Sequence, residues 1–173
     1  MNESDAETPW KICYRELAPK LLLFARQWVA SPADAEDVVQ AAFVKFWQHQ
    51  PMAQPEHYPL LYSTVRTCAL DFRRSCERRI RREANPDAGV VREDTPFFDY
   101  AVEQREEAAL VELALRELPV EQREVVVLRL WGGLTFAEIA TALDQSINTI
   151  SSRYRYALQA LRRDLKPYSN ERR

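Results

Sequence analysis

Along most of this chain apolar residues recur at three- and four-residue steps, the period of helices with one buried face. Thr8 and Pro9 supply a cap and a first-turn proline, so a helix is expected there, its seam marked by Trp10, Tyr14, Leu17, Leu21, Phe24 and Trp28. Ser31-Pro32 repeats the start signal. The helix that follows, to about Gln48, is expected to bury Ala35, Val38, Val39, Ala42, Phe43, Phe46 and Trp47. Three prolines mark His49 to Pro59 as a loop, and Pro59 opens a long helix striped with Leu61, Val65, Cys68, Ala69, Phe72, Cys76 and Ile80. Residues 8–83 can thus close a first helical domain, near the lower size limit for independent stability.

From Ala84 to Asp99 the period disappears, and two prolines, a glycine and scattered acidic residues read as a flexible acidic linker. A second domain is expected over residues 100–168. It starts with a helix from about Tyr100 to Leu118, stopped by Pro119, and another from about Glu121 to Trp131, ended by Gly132-Gly133. A helix-turn-helix signal follows. Thr135 and Glu138 make a capping box for a short helix to about Leu143, Asp144 and Gln145 turn the chain, and Ser146 can cap the next helix. That last helix has two faces. Ile147, Ile150, Tyr154, Ala157, Leu158, Leu161 and Leu165 form an apolar stripe. Opposite lie Asn148, Thr149, Ser151, Ser152, Arg155, Tyr156 and Gln159, with no carboxylate until Asp164. One buried side, with uncharged polar groups and Arg on the other, suits a DNA major groove.

Composition narrows the class. A 46% hydrophobic content supports packed cores, and three glycines with few β-branched runs argue for an all-α fold of two small helical domains. Cys13, Cys68 and Cys76 are odd in number and lack metal-ligand spacing, which points to packing in a reducing cytoplasm. No apolar run approaches a membrane span, and Met1 to Thr8 lacks the regions of a signal peptide, so a cytoplasmic chain without membrane insertion is expected. There is no Gly-rich phosphate loop, and both histidines, His49 and His57, fall in the Pro-rich loop. Neither an enzyme, a cofactor nor a metal site is expected.

The net charge of −2 conceals a division along the chain. Tyr62 to Glu83 carries seven arginines against three carboxylates, while Asp87 to Glu124 holds eleven carboxylates against four arginines. From Gln145 onward seven basic residues face two acidic ones. Two basic poles flank an acidic middle, and local potential steers association more than the total does.

Two surfaces of the first domain carry candidate chemistry. On the second helix Asp37, Gln40, Ala41 and Val44 lie at helical spacing, with Asp34 one turn before. Such a face suits docking on a helical surface that carries arginines; it equally fits a solvated face whose acids favour the helix N-terminus. On the long third helix Arg73, Arg74, Arg78, Arg79, Arg81 and Arg82 cover most of the circumference, so some face solvent and can reach phosphates. Tyr62, Ser63, Arg66 and Thr67, nearer its start, suit contacts with unstacked bases. Asp71 is expected to pair with Arg74 or to cap a local network.

The run Asp34-Ala35-Glu36-Asp37-Val38-Val39-Gln40-Ala41-Ala42-Phe43-Val44-Lys45-Phe46-Trp47 closely resembles the polymerase-binding helix of bacterial sigma factors of the extracytoplasmic-function group. Val65 to Arg74 resembles the promoter-melting helix that follows it, and the segments Leu118 to Val125 and Leu134 to Ala140 are similar to the family's C-terminal domain. Four such motifs in the family's order, covering Trp10 to Leu165, are far more specific than a helix-turn-helix alone. The resemblance implies a dissociable specificity subunit whose partners are core RNA polymerase (the beta-prime clamp and the beta flap), promoter DNA and an anti-sigma factor. Asp34, Asp37, Gln40, Ala41 and Val44 would dock on polymerase. Tyr62, Ser63, Arg66, Thr67, Arg73, Arg74 and Arg78 would meet the minus-ten element. The minus-thirty-five element would fall to Thr149, Ser151, Ser152, Arg153, Arg155 and Tyr156, with Thr149 and Arg153 on phosphates. The acidic linker would thread through polymerase near the nascent RNA.

Three positions depart from the family pattern. Ser151 stands where a basic residue is common, Thr67 where many members carry Asn, and Asp144 where Gly often fills the turn. Asp tolerates left-handed backbone better than most residues, so the turn is expected to survive. A dimeric helix-turn-helix repressor and a polymerase adaptor that reads no DNA remain as alternatives. A monomer that ignores duplex promoter until polymerase is present separates the first of these from a sigma factor.

Overall fold

The computed structural model describes residues 9–29, 31–50, 54–82 and 105–170. These residues are helical and include no strand; the chain divides into two compact units, Met1–Glu93 and Asp94–Arg173. The expected linker over 84–99 and the helix start at Tyr100 lie outside the described residues.

In the first unit α1 (Pro9–Ala25), α2 (Pro32–His49) and α3 (Tyr58–Arg82) pack around one apolar core, with α2 lying chiefly on α3. α2 begins as expected: the Ser31 hydroxyl accepts the Asp34 N–H at 3.1 Å, and Pro32 fills the first turn, where its missing N–H costs nothing. Before α3 a short 3-10 turn, Pro55–His57, occupies part of the segment read as loop, and α3 starts at Tyr58 rather than Pro59. Leu21, Phe24, Val39, Leu61 and Val65 are sealed in the core, with edge-on ring contacts of Trp10 to Phe46 and Phe24 to Tyr62. The apolar stripe of α3 is buried only to Ala69; Phe72, Cys76 and Ile80 are half-buried, because the helix runs on past its partners. Cys13 and Cys68 are buried free thiols, and burial pushes the Cys13 thiol up, against the hydrogen bond from Tyr58 that lowers it.

Two core expectations on this unit are corrected. Tyr14 is 48% exposed, with its ring tilted on Phe43, and Trp47 is 58% exposed. At about 100° per residue Trp47 points about 110° away from the centre of the α2 stripe, beside Gln40 and Val44.

The second unit comprises α4 (Arg105–Glu117), α5 (Val120–Leu130), α6 (Phe136–Leu143) and α7 (Ile147–Asn170). α7 meets α4, α5 and α6, and Leu115, Leu118, Val126 and Ala157 form its buried centre. α5 is buried along Arg123, Glu124, Val125, Val126, Val127 and Leu128, which makes it the central element although two of the six are charged. Arg123 donates to the Arg116 carbonyl at 3.2 Å, joining α5 to the end of α4, and Arg116 pairs with buried Glu112 at 2.7 Å. The acidic middle read from the sequence is therefore partly internal. Gly132 closes α5, and a side chain there would sit 2.5 Å from the Leu128 carbonyl oxygen.

Candidate docking face and nucleic-acid interface

Asp37, Gln40, Ala41 and Val44 all stand exposed on one side of α2, and Asp34 is half-buried in its first turn. Trp47 joins them. With Val44 53% and Trp47 58% exposed, the acidic and amide groups border an apolar patch. Exposed aromatic side chains are among the residues that anchor protein–protein interfaces, so Trp47 belongs with the candidate docking set. Sequence periodicity assigned Trp47 to the core; its angular offset from the stripe was the signal available to correct that.

α3 divides its candidates into three sets. Tyr62 is corrected: it is 1% exposed, its ring packs on Phe24, and burial holds its phenol well above the usual range. It lies beside Ala69 on the inner side of the helix, closed off from the surface. Arg66 and Arg73 share a flank, with their guanidinium carbons 5.4 and 5.8 Å from the centre of the Trp28 ring. Ser63, Thr67, Arg74 and Arg78 turn further outward. Thr67 donates its hydroxyl to the Ser63 carbonyl at 3.0 Å, which leaves its oxygen lone pairs as acceptors. Asp71 lies 3.6 Å from Arg74, the pairing expected, and Arg73 lies at the same distance from Glu77. Arg78, Arg79, Arg81 and Arg82 are exposed at the helix end.

In the second unit the start of α6 and the turn from α6 into α7 are each held by local bonds. The Thr135 hydroxyl accepts the Glu138 N–H at 3.2 Å, while the Glu138 carboxylate accepts both the Thr135 N–H and its hydroxyl at 2.7 Å. Those two bonds from Thr135 hold the Glu138 carboxyl below its ordinary value. Asp144 adopts the left-handed conformation expected, with φ 52° and ψ 53°. Its N–H reaches the Thr141 carbonyl at 3.4 Å and that of Gln145 reaches Ala140 at 3.0 Å, a Schellman close. Ser146 then caps α7, accepting the Thr149 N–H at 3.1 Å.

α7 buries Ile150 and Ala157 and half-buries Tyr154, Leu158, Leu161 and Leu165; Ile147, in the first turn, is 51% exposed and departs from the expected stripe. Ser151, Arg155 and Tyr156 are exposed, Ser152 and Arg153 half-buried. The Arg155 guanidinium lies 5.2 Å from the Tyr156 ring centre, which narrows the positions it samples. Thr149 shares a 2.8 Å hydrogen bond with the Ser146 hydroxyl, so part of its capacity serves the cap. Elsewhere on this unit an open apolar groove of about 550 Å³ runs between Val111, Leu115, Trp131, Leu158, Leu161 and Leu165, with Arg162 and Lys166 among its lining residues. Among the described residues no cluster of three or more His, Cys, Asp or Glu could hold a metal ion, and no helix is long and apolar enough to cross a membrane.

The comparisons with known proteins agree on both units. Residues 13–83 match the family model of sigma-70 region 2, and residues 114–163 that of sigma-70, region 4. The chain is 32% identical to the ECF RNA polymerase sigma factor SigL of Mycobacterium tuberculosis, over 88% of this chain and 86% of that one. It is also 32% identical to the RNA polymerase sigma-E factor of Streptomyces coelicolor, over 84% and 79% of the two chains. Among solved structures it resembles the sigma factor RpoE of Bartonella quintana, crystallised with the anti-sigma factor NepR, with a TM-score of 0.68 and 25% identity over 90% of this chain and 98% of that one. This chain therefore belongs to the sigma-70 family of RNA polymerase sigma factors, in its extracytoplasmic-function group.

Proposed function

We propose that this sigma factor divides initiation between its units: the first docks on core RNA polymerase and holds the melted minus-ten strand, and the second reads the minus-thirty-five duplex. Family membership makes it a subunit that binds core polymerase and directs promoter-specific transcription initiation. The observation that carries the finer assignment is the juxtaposition, within the first unit, of an exposed polar-apolar face on α2 and an arginine-rich outer side on α3. Asp34, Asp37, Gln40, Ala41 and Val44, with Trp47 added, form the polymerase-facing set. Ser63, Arg66, Thr67, Arg73, Arg74 and Arg78 form the minus-ten set, from which Tyr62 is withdrawn. A track of cations beside hydroxyls and an accepting threonine suits an extruded single strand.

On α7, Ser151, Ser152, Arg155 and Tyr156 are the base-proximal groups, and Thr149 and Arg153 the phosphate-proximal ones. The apolar groove of the second unit suits a helix of the polymerase flap, laid in by its apolar side. An anti-sigma factor is the proposed regulator, as the RpoE relative was crystallised with one. Run-off transcription from randomised promoters, with bacterial core polymerase and with or without this protein, tests the whole reading. Transcripts that need the protein and share two spaced elements are the expected result. Binding to core without promoter selection would leave an adaptor instead.

A further inference from the structure

We propose that Trp28 is a positioning residue for strand binding: its indole face holds the guanidinium groups of Arg66 and Arg73 on one flank of α3, ordering both before a melted strand arrives. The proposal rests on the reading of α3 as a strand-binding helix and adds a residue from outside it. Trp28 lies in the turn after α1, where its N–H bonds to the Ala25 carbonyl at 2.9 Å. Trp28 is 8% exposed, and its indole N–H meets no acceptor among the described residues. An aliphatic or phenyl side chain could occupy that space without stranding a donor. What the indole alone supplies is the broadest and most electron-rich face, and two cations lie within reach of it, at 5.4 and 5.8 Å.

The two arginines are seven residues apart, so they stand on the same side of α3 with roughly 10 Å of helix between them. Arg73 has a second restraint in Glu77, 3.6 Å away. Arginine is the cation suited to such a seat, because a planar guanidinium can stack on a ring while its edge N–H groups remain directed outward. A long side chain that grips phosphate loses rotamer freedom, and stacking takes that loss before the strand binds.

The test uses holoenzyme reconstituted from core polymerase and a labelled single-stranded oligonucleotide carrying the non-template minus-ten segment of a promoter that the holoenzyme selects. Trp28→Leu keeps an apolar filling and removes the π face; it should weaken strand binding roughly three- to thirtyfold, with affinity for core unchanged. Trp28→Phe should recover most of that loss. In an Arg66→Ala/Arg73→Ala background Trp28→Leu should cost nothing more, since the groups it positions are gone. Equal losses from Trp28→Leu with and without the arginines, or Phe no better than Leu, would overturn the positioning role. If the double arginine variant binds the strand as the parent does, the strand-binding reading of α3 fails first, and the proposal with it. Should Trp28→Leu not fold, Trp28→Phe carries the same cycle with a smaller expected loss that again vanishes without the arginines.

Discussion

In the unit built from α1, α2 and α3, no described charged side chain is buried, whereas the unit built from α4 to α7 buries Glu112, Arg123 and Glu124. Both are small helical bundles, yet their charges serve different ends. In the second unit Arg123 ties α5 to the end of α4, and Glu112 pairs with Arg116 within α4, so part of the charge of that segment is spent on internal structure. In the first unit the charges remain outside, and the six arginines between Arg73 and Arg82 exceed what local pairing with Asp71 and Glu77 uses. A charge count along the sequence does not distinguish these cases. Burial does: the arginines at the end of α3 stay exposed in the first unit, while the second takes part of its charge inside.

Trp47 carries the largest expected effect in the first unit. If the outer side of the first unit is a docking surface, Trp47→Ala should cost about 2–4 kcal/mol in affinity for core polymerase, the range of an aromatic anchor, with little change in Tm because the side chain is already exposed. Fluorescence titration with core enzyme measures it. A loss below about threefold would return this face to solvent.

Next in size is the arginine track. Replacing Arg78, Arg79, Arg81 and Arg82 with Gln removes four cations from the end of α3. The slope of log K against log salt for a minus-ten strand should fall by roughly 3, and affinity near 0.15 M salt by roughly a hundredfold, if all four neutralise phosphates. Base preference should not move. An unaltered slope would place these arginines away from the strand.

Arg155→Ala in α7 should behave in the opposite manner. Its expected cost is ~1–3 kcal/mol, concentrated on one or two base pairs of the upstream element, with the salt slope changed by about one unit or less. Competition binding against a panel of single-base variants reads the difference. A uniform loss on all variants would make Arg155 a phosphate contact and erase the contrast between the two helices.

Much of this was legible before any coordinates. Ser31, the Thr135–Glu138 box, Asp144 and Ser146 are local devices, decided by residues within one turn of each other, and each appears as the sequence implies. Burial of α2 and of the first half of α3 followed from periodicity. What failed lay at stripe edges or, as with Ile147, at a helix end. Trp47 and Tyr14 are hydrophobic by composition but sit beyond the arc that neighbouring helices cover, and Tyr62 is polar enough to suggest a ligand contact but sits within that arc. Hydrophobicity cannot settle such positions, because the width of the covered arc is set by how closely the other helices approach. Trp28 was legible as a core residue but not as a seat for Arg66 and Arg73, a relation between residues 38 and 45 positions apart in the chain.

The smallest effect tests the cap that starts α6, the helix before α7. Hydrogen bonds from Thr135 lower the Glu138 carboxyl below its ordinary value of 4.5, and the Arg129 charge acts in the same direction. A carboxylate lowered on folding adds stability that is present above its unfolded value and is lost as pH falls through the lower folded one. Unfolding of the second unit should therefore become easier below about pH 4.5 in proportion to this group, on top of the other acids. Glu138→Gln can still accept the Thr135 N–H but carries no charge; it should cost about 0.3–1 kcal/mol at neutral pH and remove that share of the acid dependence. Thermal melts from pH 3 to 7 provide the check. If the variant and the parent lose stability in parallel on acidification, the box works by geometry alone, and the charge of Glu138 contributes nothing to how α6 is held.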